Sequence, residues 1–150
     1  MQKNHFRQMG FSLLEMMIVV AMVGLLMALA MPSYRRYTQR AKFTELIHAL
    51  GPYKASVTLC LYQQNELNEC STPGQNGIPE DFTNPDPQKG YIESIRVGHE
   101  GMITATSQRI KLDKKTVFTY TLKPLLQENG SIQWVVDNTL PNSCQRYHLC

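Results

Sequence analysis

Hydrophobic and polar positions divide this chain into four regimes. From Phe11 to Met31 the side chains are apolar or small, and Glu15 is the one formal charge among these 21 residues. As a helix the run measures about 31 Å at ~1.5 Å per residue, close to the ~30 Å of a bilayer core. Beyond Pro32, apolar residues recur in steps of three and four at Phe43, Leu46, Ile47, Leu50, Tyr53, Val57 and Leu61. That spacing predicts a helix with one apolar stripe facing a core. The helical pattern extends from about Ser12 to about Gln64. Pro32 and Pro52 interrupt it, because a proline lacks the N–H that would bond near Ala28 or His48. Gly24 is a further weak point.

Periodicity is lost over 65–89, where Pro73, Gly74, Asn76, Gly77, Pro79, Pro85 and Pro87 predict a loop. Four strand-like runs follow: Tyr91 to Val97, Met102 to Thr106, Thr116 to Lys123, and Ser131 to Asp137. The last begins after Asn129-Gly130, a hairpin turn signal. Short connections predict an antiparallel meander. Its inner face is expected to meet the helical stripe through Ile92, Ile103, Phe118 and Trp134. The predicted class is therefore α+β, a long N-terminal helix on a four-stranded antiparallel sheet.

Length and charge narrow the picture. Of 150 residues, about 30 belong to the apolar helix and its leader, which leaves enough chain for one small core. The 15 basic and 12 acidic residues give +3, and removing Lys3 and Arg7 with a leader leaves +1. Bulk charge thus gives no argument for nucleic acid or an acidic substrate. Four cations, Arg109, Lys111, Lys114 and Lys115, fall within seven residues and could contact phosphates. Asp113 interrupts them, and a solvated turn between strands is the plainer reading. His5, His48, His99 and His148 are scattered, and no catalytic or metal-binding motif appears. The expectation is a chain that is not an enzyme, without metal or cofactor.

The four cysteines, Cys60, Cys70, Cys144 and Cys150, are an even set in a chain with an export element, which favours disulfides. Three connectivities are open. Cys60–Cys70 and Cys144–Cys150 are favoured because each closes a short local loop. A zinc site with His148 is the alternative, but the spacings lack the pattern of common zinc modules.

Glu15 carries the sharpest chemistry. A carboxylate at a bilayer centre costs ~2.5–3.5 kcal/mol, and less near an end, where it can reach the interface. It is read either as a snorkelling charge at the edge of an anchor or as a charge that awaits a partner. Ala28-Leu29-Ala30 also offers a conventional A-x-A signal cleavage that would leave a chain starting at Met31. Against that, the apolar segment holds Glu15, exceeds a usual signal core, and continues helically beyond Met31.

A basic leader ending at Gly10, then Phe11-Ser12-Leu13-Leu14-Glu15 and an unbroken apolar run, resembles the N-terminus of type IV pilins. Pro32-Ser33-Tyr34-Arg35-Arg36-Tyr37 matches a further pilin pattern, and Asn76-Gly77-Ile78-Pro79 after a second cysteine is similar to pilins with an extra disulfide. The resemblance implies a leader over residues 1–10, a hydrophobic helix over 11–32 that anchors transiently in the inner membrane, and a periplasmic or extracellular globular domain over 33–150. It implies a prepilin peptidase that cuts after Gly10 and N-methylates Phe11. After the cut, Phe11 and Glu15 stand at i and i+4 and share a helix face. The glutamate would align each new subunit, and the stretch from Gly24 to Pro32 would lose helical order in the fibre.

The partners implied are further copies in a helical filament and the pilus assembly machinery, with the pilus on the bacterial surface supporting adhesion, twitching motility or DNA uptake. A minor, tip or DNA-binding pilin and a type II secretion pseudopilin are the alternatives. The positive-inside rule alone, applied to Arg35, Arg36, Arg40 and Lys42, would place the C-terminal part in the cytoplasm. The cysteines and the topology of the resembled family oppose it.

Overall fold

The computed structural model describes residues 10–112 and 117–150. Lys3, His5 and Arg7 of the expected leader, and Lys114 and Lys115 of the basic cluster, lie outside the described residues, as does Thr116 of the third strand-like run. The chain forms two compact units, one reaching to Arg36 and the other Tyr37–Cys150. The first intermediate burial along α1 comes just after this division, at Thr38 and Gln39.

In the first unit, helix α1 (Leu13–Ala49) starts and runs without a break past Gly24 and Pro32. No side chain from Gly10 to Tyr37 is buried. Loss of one hydrogen bond at Pro32 does not end the helix, since the neighbouring turns keep their own bonds.

The second unit begins within α1 and continues into α2 (Gly51–Gln64). The break between the two helices belongs to Pro52. It cannot donate to His48, so Leu50 N–H tightens onto Ile47 O at 3.2 Å, and Lys54 N–H restarts the ladder on Leu50 O at 2.9 Å. Asn65 closes α2 in the left-handed conformation, with its N–H on Leu61 O. Phe43, Leu46, Leu50, Val57 and Leu61 are fully buried, and Ile47 and Tyr53 pack partly buried beside them. The stripe read from the sequence is therefore the helical half of the core.

The other half is a sheet of five antiparallel strands in chain order: β1 (Phe82–Thr83), β2 (Ile92–Val97), β3 (Ile103–Ser107), β4 (Thr119–Leu126) and β5 (Ile132–Asp137). The expected count was four. The additional β1 pairs Phe82 with Ile95 and Thr83 with Ser94. Two residues carry no readable alternation, so this strand exists only through its partner.

Alternation in β2 also slips. Ile92 faces Ser107 while Ser94 faces Thr106, which leaves Glu93 as an extra residue. Ser94 and Ile95 are consequently both buried, and Ile92 is only half-buried. The third run lies further along than expected, and β4 includes Pro124. Gln127 N–H donates to Ser131 O across the β4–β5 hairpin. By alternation the Pro124 nitrogen faces the β3 side, where pairing has already ended at Leu122. The proline thus costs no ladder bond.

Ile103 and Phe118 are fully buried as expected, whereas Trp134 is half-buried. Its Nε1–H donates to Thr58 Oγ1 at 3.1 Å, and Lys54 Nζ stands 5.7 Å from the ring centre. Phe43 meets Tyr120 edge-on, and Phe118 meets Tyr147 edge-on. Gly101 closes the core near α2. It has φ +69°, and a Cβ there would stand 3.1 Å from Val57 Cγ1 and 3.4 Å from Cys70 O. Only glycine fits both the conformation and the space.

Candidate assembly surface

The first helical turns follow from local chemistry. Ser12 stands just before α1 and its Oγ accepts the Glu15 N–H at 3.2 Å, while its carbonyl accepts the Met16 N–H at 3.3 Å. A serine in this place satisfies a donor that the helix start leaves unpaired. Phe11 consequently precedes the helix, with its side chain 77% exposed. In the uncut chain α1 starts at Leu13, after Ser12; the shared helix face of Phe11 and Glu15 is an expectation for the chain cut after Gly10.

Glu15 itself is exposed and makes no ion pair among the described residues. From Leu13 to Met31 the leucines, methionines, valines and isoleucine project on all sides of the helix, each large apolar side chain exposed. This is more contiguous apolar surface than a soluble monomer leaves open to water. By length and composition the helix could cross a membrane. Gly24 and Pro32 both lie within it, in helical conformation.

In the globular unit the sulfurs are paired. Cys60 at the end of α2 bonds to Cys70, and both are fully buried. Cys144 bonds to Cys150. No thiol is left for zinc beside His148, and among the described residues no three metal-ligating side chains converge. The second disulfide closes a C-terminal loop that α1 also holds, through the Arg40 Nε–H donating to His148 O at 2.7 Å.

Two of the four cations that could contact phosphates can be placed. Lys111 is exposed, but the Arg109 guanidinium donates to Gln88 O and is engaged within the protein. Among the described residues the shortest ion pair is Lys123 Nζ to Glu100 Oε2 at 2.7 Å. The hydrogen bond from Lys123, then its charge, lowers the Glu100 carboxyl below its ordinary range and raises Lys123 in return. Asp137 is lowered by the hydrogen bonds it accepts from Thr139. Burial pushes the Tyr53 and Tyr120 hydroxyls up. None of these groups forms a cluster with chemistry of its own.

Sequence reasoning missed Ser12 as more than part of the motif. The signal was present in the spacing Ser12-Leu13-Leu14-Glu15, the S-x-x-E pattern of a helix start.

Known proteins bear on this surface directly. Residues 6–31 match the family described as the prokaryotic N-terminal methylation motif. The chain is 31% identical over 102 residues to prepilin peptidase-dependent protein D of Escherichia coli strain K12, covering 68% of this chain and 65% of that protein. It is 48% identical over 73 residues to the type IV pilus subunit protein TapA of Aeromonas hydrophila, covering 49% of this chain and 51% of that one. These alignments span about two thirds and about half of the two relatives. A type IV major pilin protein, PilE1 of Neisseria gonorrhoeae, is 34% identical over 128 residues, with 85% of this chain and 68% of that protein covered. Likeness on that scale extends well past the N-terminal helix and through most of the sheet domain, and the chain belongs to the type IV pilin family.

Proposed function

We propose that this chain is a structural subunit of a type IV pilus, processed at Gly10 and built into the fibre through its N-terminal helix. The observation that carries the reading is the stretch of α1 from Leu13 to Met31, apolar on every side and wholly exposed, with Glu15 as its one charge. In the bilayer those side chains already sit in an apolar medium. Moving them into a fibre core gains little from the hydrophobic effect, because lipid tails are as apolar as leucine. Glu15 therefore decides the direction. Its carboxylate is costly in hydrocarbon, and that cost falls when it pairs with a cation in the fibre. The amine freed on Phe11 of a neighbouring subunit is the cation this reading assigns.

A prepilin peptidase and methylase would act on Gly10 and Phe11, so the chain is their substrate and not an enzyme. The inner membrane would hold it before assembly, and the extracellular pilus afterwards. The relative named as a major pilin supports placing this chain as an abundant subunit. Arg109 already bonded to Gln88 weakens the DNA-binding alternative. The test is Glu15→Ala in the full chain. Processing should persist while surface fibres are lost at least tenfold. Wild-type fibre yield from this variant would overturn the proposed role of Glu15.

A further inference from the structure

We infer that Ser12 is a positioning residue for assembly: its hydroxyl caps the first turn of α1 and so fixes where the Glu15 carboxylate stands. The inference rests on the assembly reading above. Its basis is the pair of bonds at the helix start, Glu15 N–H to Ser12 Oγ at 3.2 Å and Met16 N–H to Ser12 O at 3.3 Å.

Ser12-Leu13-Leu14-Glu15 has the spacing of a capping box. In the full box the hydroxyl takes the N–H of the fourth residue, and the carboxylate of the fourth reaches back to the first N–H. Here the hydroxyl makes its half. The carboxylate remains outside any ion pair among the described residues, so it is available for a charge on another chain.

The position of the cap gives it weight. After a cut at Gly10, Phe11 alone would precede Ser12, and no upstream chain would hold the first turn in place. The hydroxyl is the side-chain acceptor that keeps the Glu15 backbone in the helix. In an apolar phase an unpaired N–H costs more than in water, because no solvent replaces the lost bond. Without the cap the turn from Leu13 to Glu15 frays. The carboxylate then samples many positions and meets its partner's amine less often.

The test uses the full-length chain in cells that process and assemble it, with Ser12→Val, Ser12→Thr, Ser12→Asn and Glu15→Ala compared. Valine matches threonine in shape but has no acceptor, while threonine and asparagine both cap. Fibre yield is measured per processed subunit, with processing read by intact mass. Ser12→Val should lower that yield about fivefold, the factor typical of a lost N-cap, and Ser12→Thr and Ser12→Asn should stay within about twofold of wild type.

Hydrogen exchange at the Glu15 amide in detergent micelles supplies a reading that needs no processing. Exchange should be faster in Ser12→Val and restored in Ser12→Thr. Equal yields, equal exchange, or a threonine variant as deficient as the valine variant would each overturn the inference. If Glu15→Ala is defective while Ser12→Val is normal, this inference alone fails. If Glu15→Ala assembles normally, the underlying reading fails.

Discussion

Two stretches of α1 both carry large apolar side chains and have opposite fates. From Leu13 to Met31 no side chain is buried, whereas from Phe43 to Ala49 both Phe43 and Leu46 are completely so. The difference lies in how far round the helix the apolar side chains extend. Apolar residues cover the whole circumference of the first stretch and only one stripe of the second. A stripe can be covered by a single sheet face, and this chain supplies one. A helix that is apolar all round needs neighbours on every side, which a bilayer or a bundle of identical helices provides. Folding stability should therefore reside in Tyr37–Cys150, and assembly in the residues before it.

That division can be broken by experiment. The largest effect is expected from Phe43→Ala, which empties a fully buried aromatic site and should cost ~3–5 kcal/mol in denaturant unfolding of the mature chain. Leu26→Ala, at an exposed position, should leave the same transition within ~0.5 kcal/mol. A Leu26 effect as large as that of Phe43 would end the comparison. Next comes the paired substitution Cys60→Ala with Cys70→Ala. Those cysteines are 10 residues apart and both buried, and removing the cross-link should cost ~2–4 kcal/mol by the same measurement.

Gly101→Ala should follow at ~1–3 kcal/mol, because the new Cβ meets Val57 in a left-handed backbone conformation. An unchanged unfolding midpoint would show that the turn relaxes around it. The smallest effect belongs to the half-exposed Glu100–Lys123 pair. Its carboxyl titrates below the ordinary range in the folded chain, so its contribution is present above the unfolded value and is lost as pH falls through the folded one. Lys123→Met should thus differ from wild type at neutral pH and converge with it in acid. A gap that widens in acid would contradict the assignment.

Much of this fold was readable because much of it is periodic. The stripe from Phe43 to Leu61 follows from spacing alone, and so do the positions of β2, β3 and β5 to within a residue at each start. What escaped depends on partners distant in sequence. Phe82 and Thr83 form a strand only because Ile95 and Ser94 lie beside them. The extra residue Glu93 exists only relative to the β3 register. A proline inside a strand ordinarily removes a ladder bond, yet the place where β3 pairing stops makes Pro124 harmless in β4. At the candidate site the motif residues were legible as a block. The Ser12 cap was not, since it becomes visible only where the helix starts.

The most direct test of the central claim is the intact mass of the protein in a sheared cell-surface fraction. The account predicts an abundant chain that begins at Phe11, heavier by the CH2 that one N-methylation adds and, for the disulfides Cys60–Cys70 and Cys144–Cys150, four hydrogens lighter than the bare sequence. A soluble chain that begins at Met31 would contradict it, because the helix assigned to the fibre core would then be absent from the mature protein.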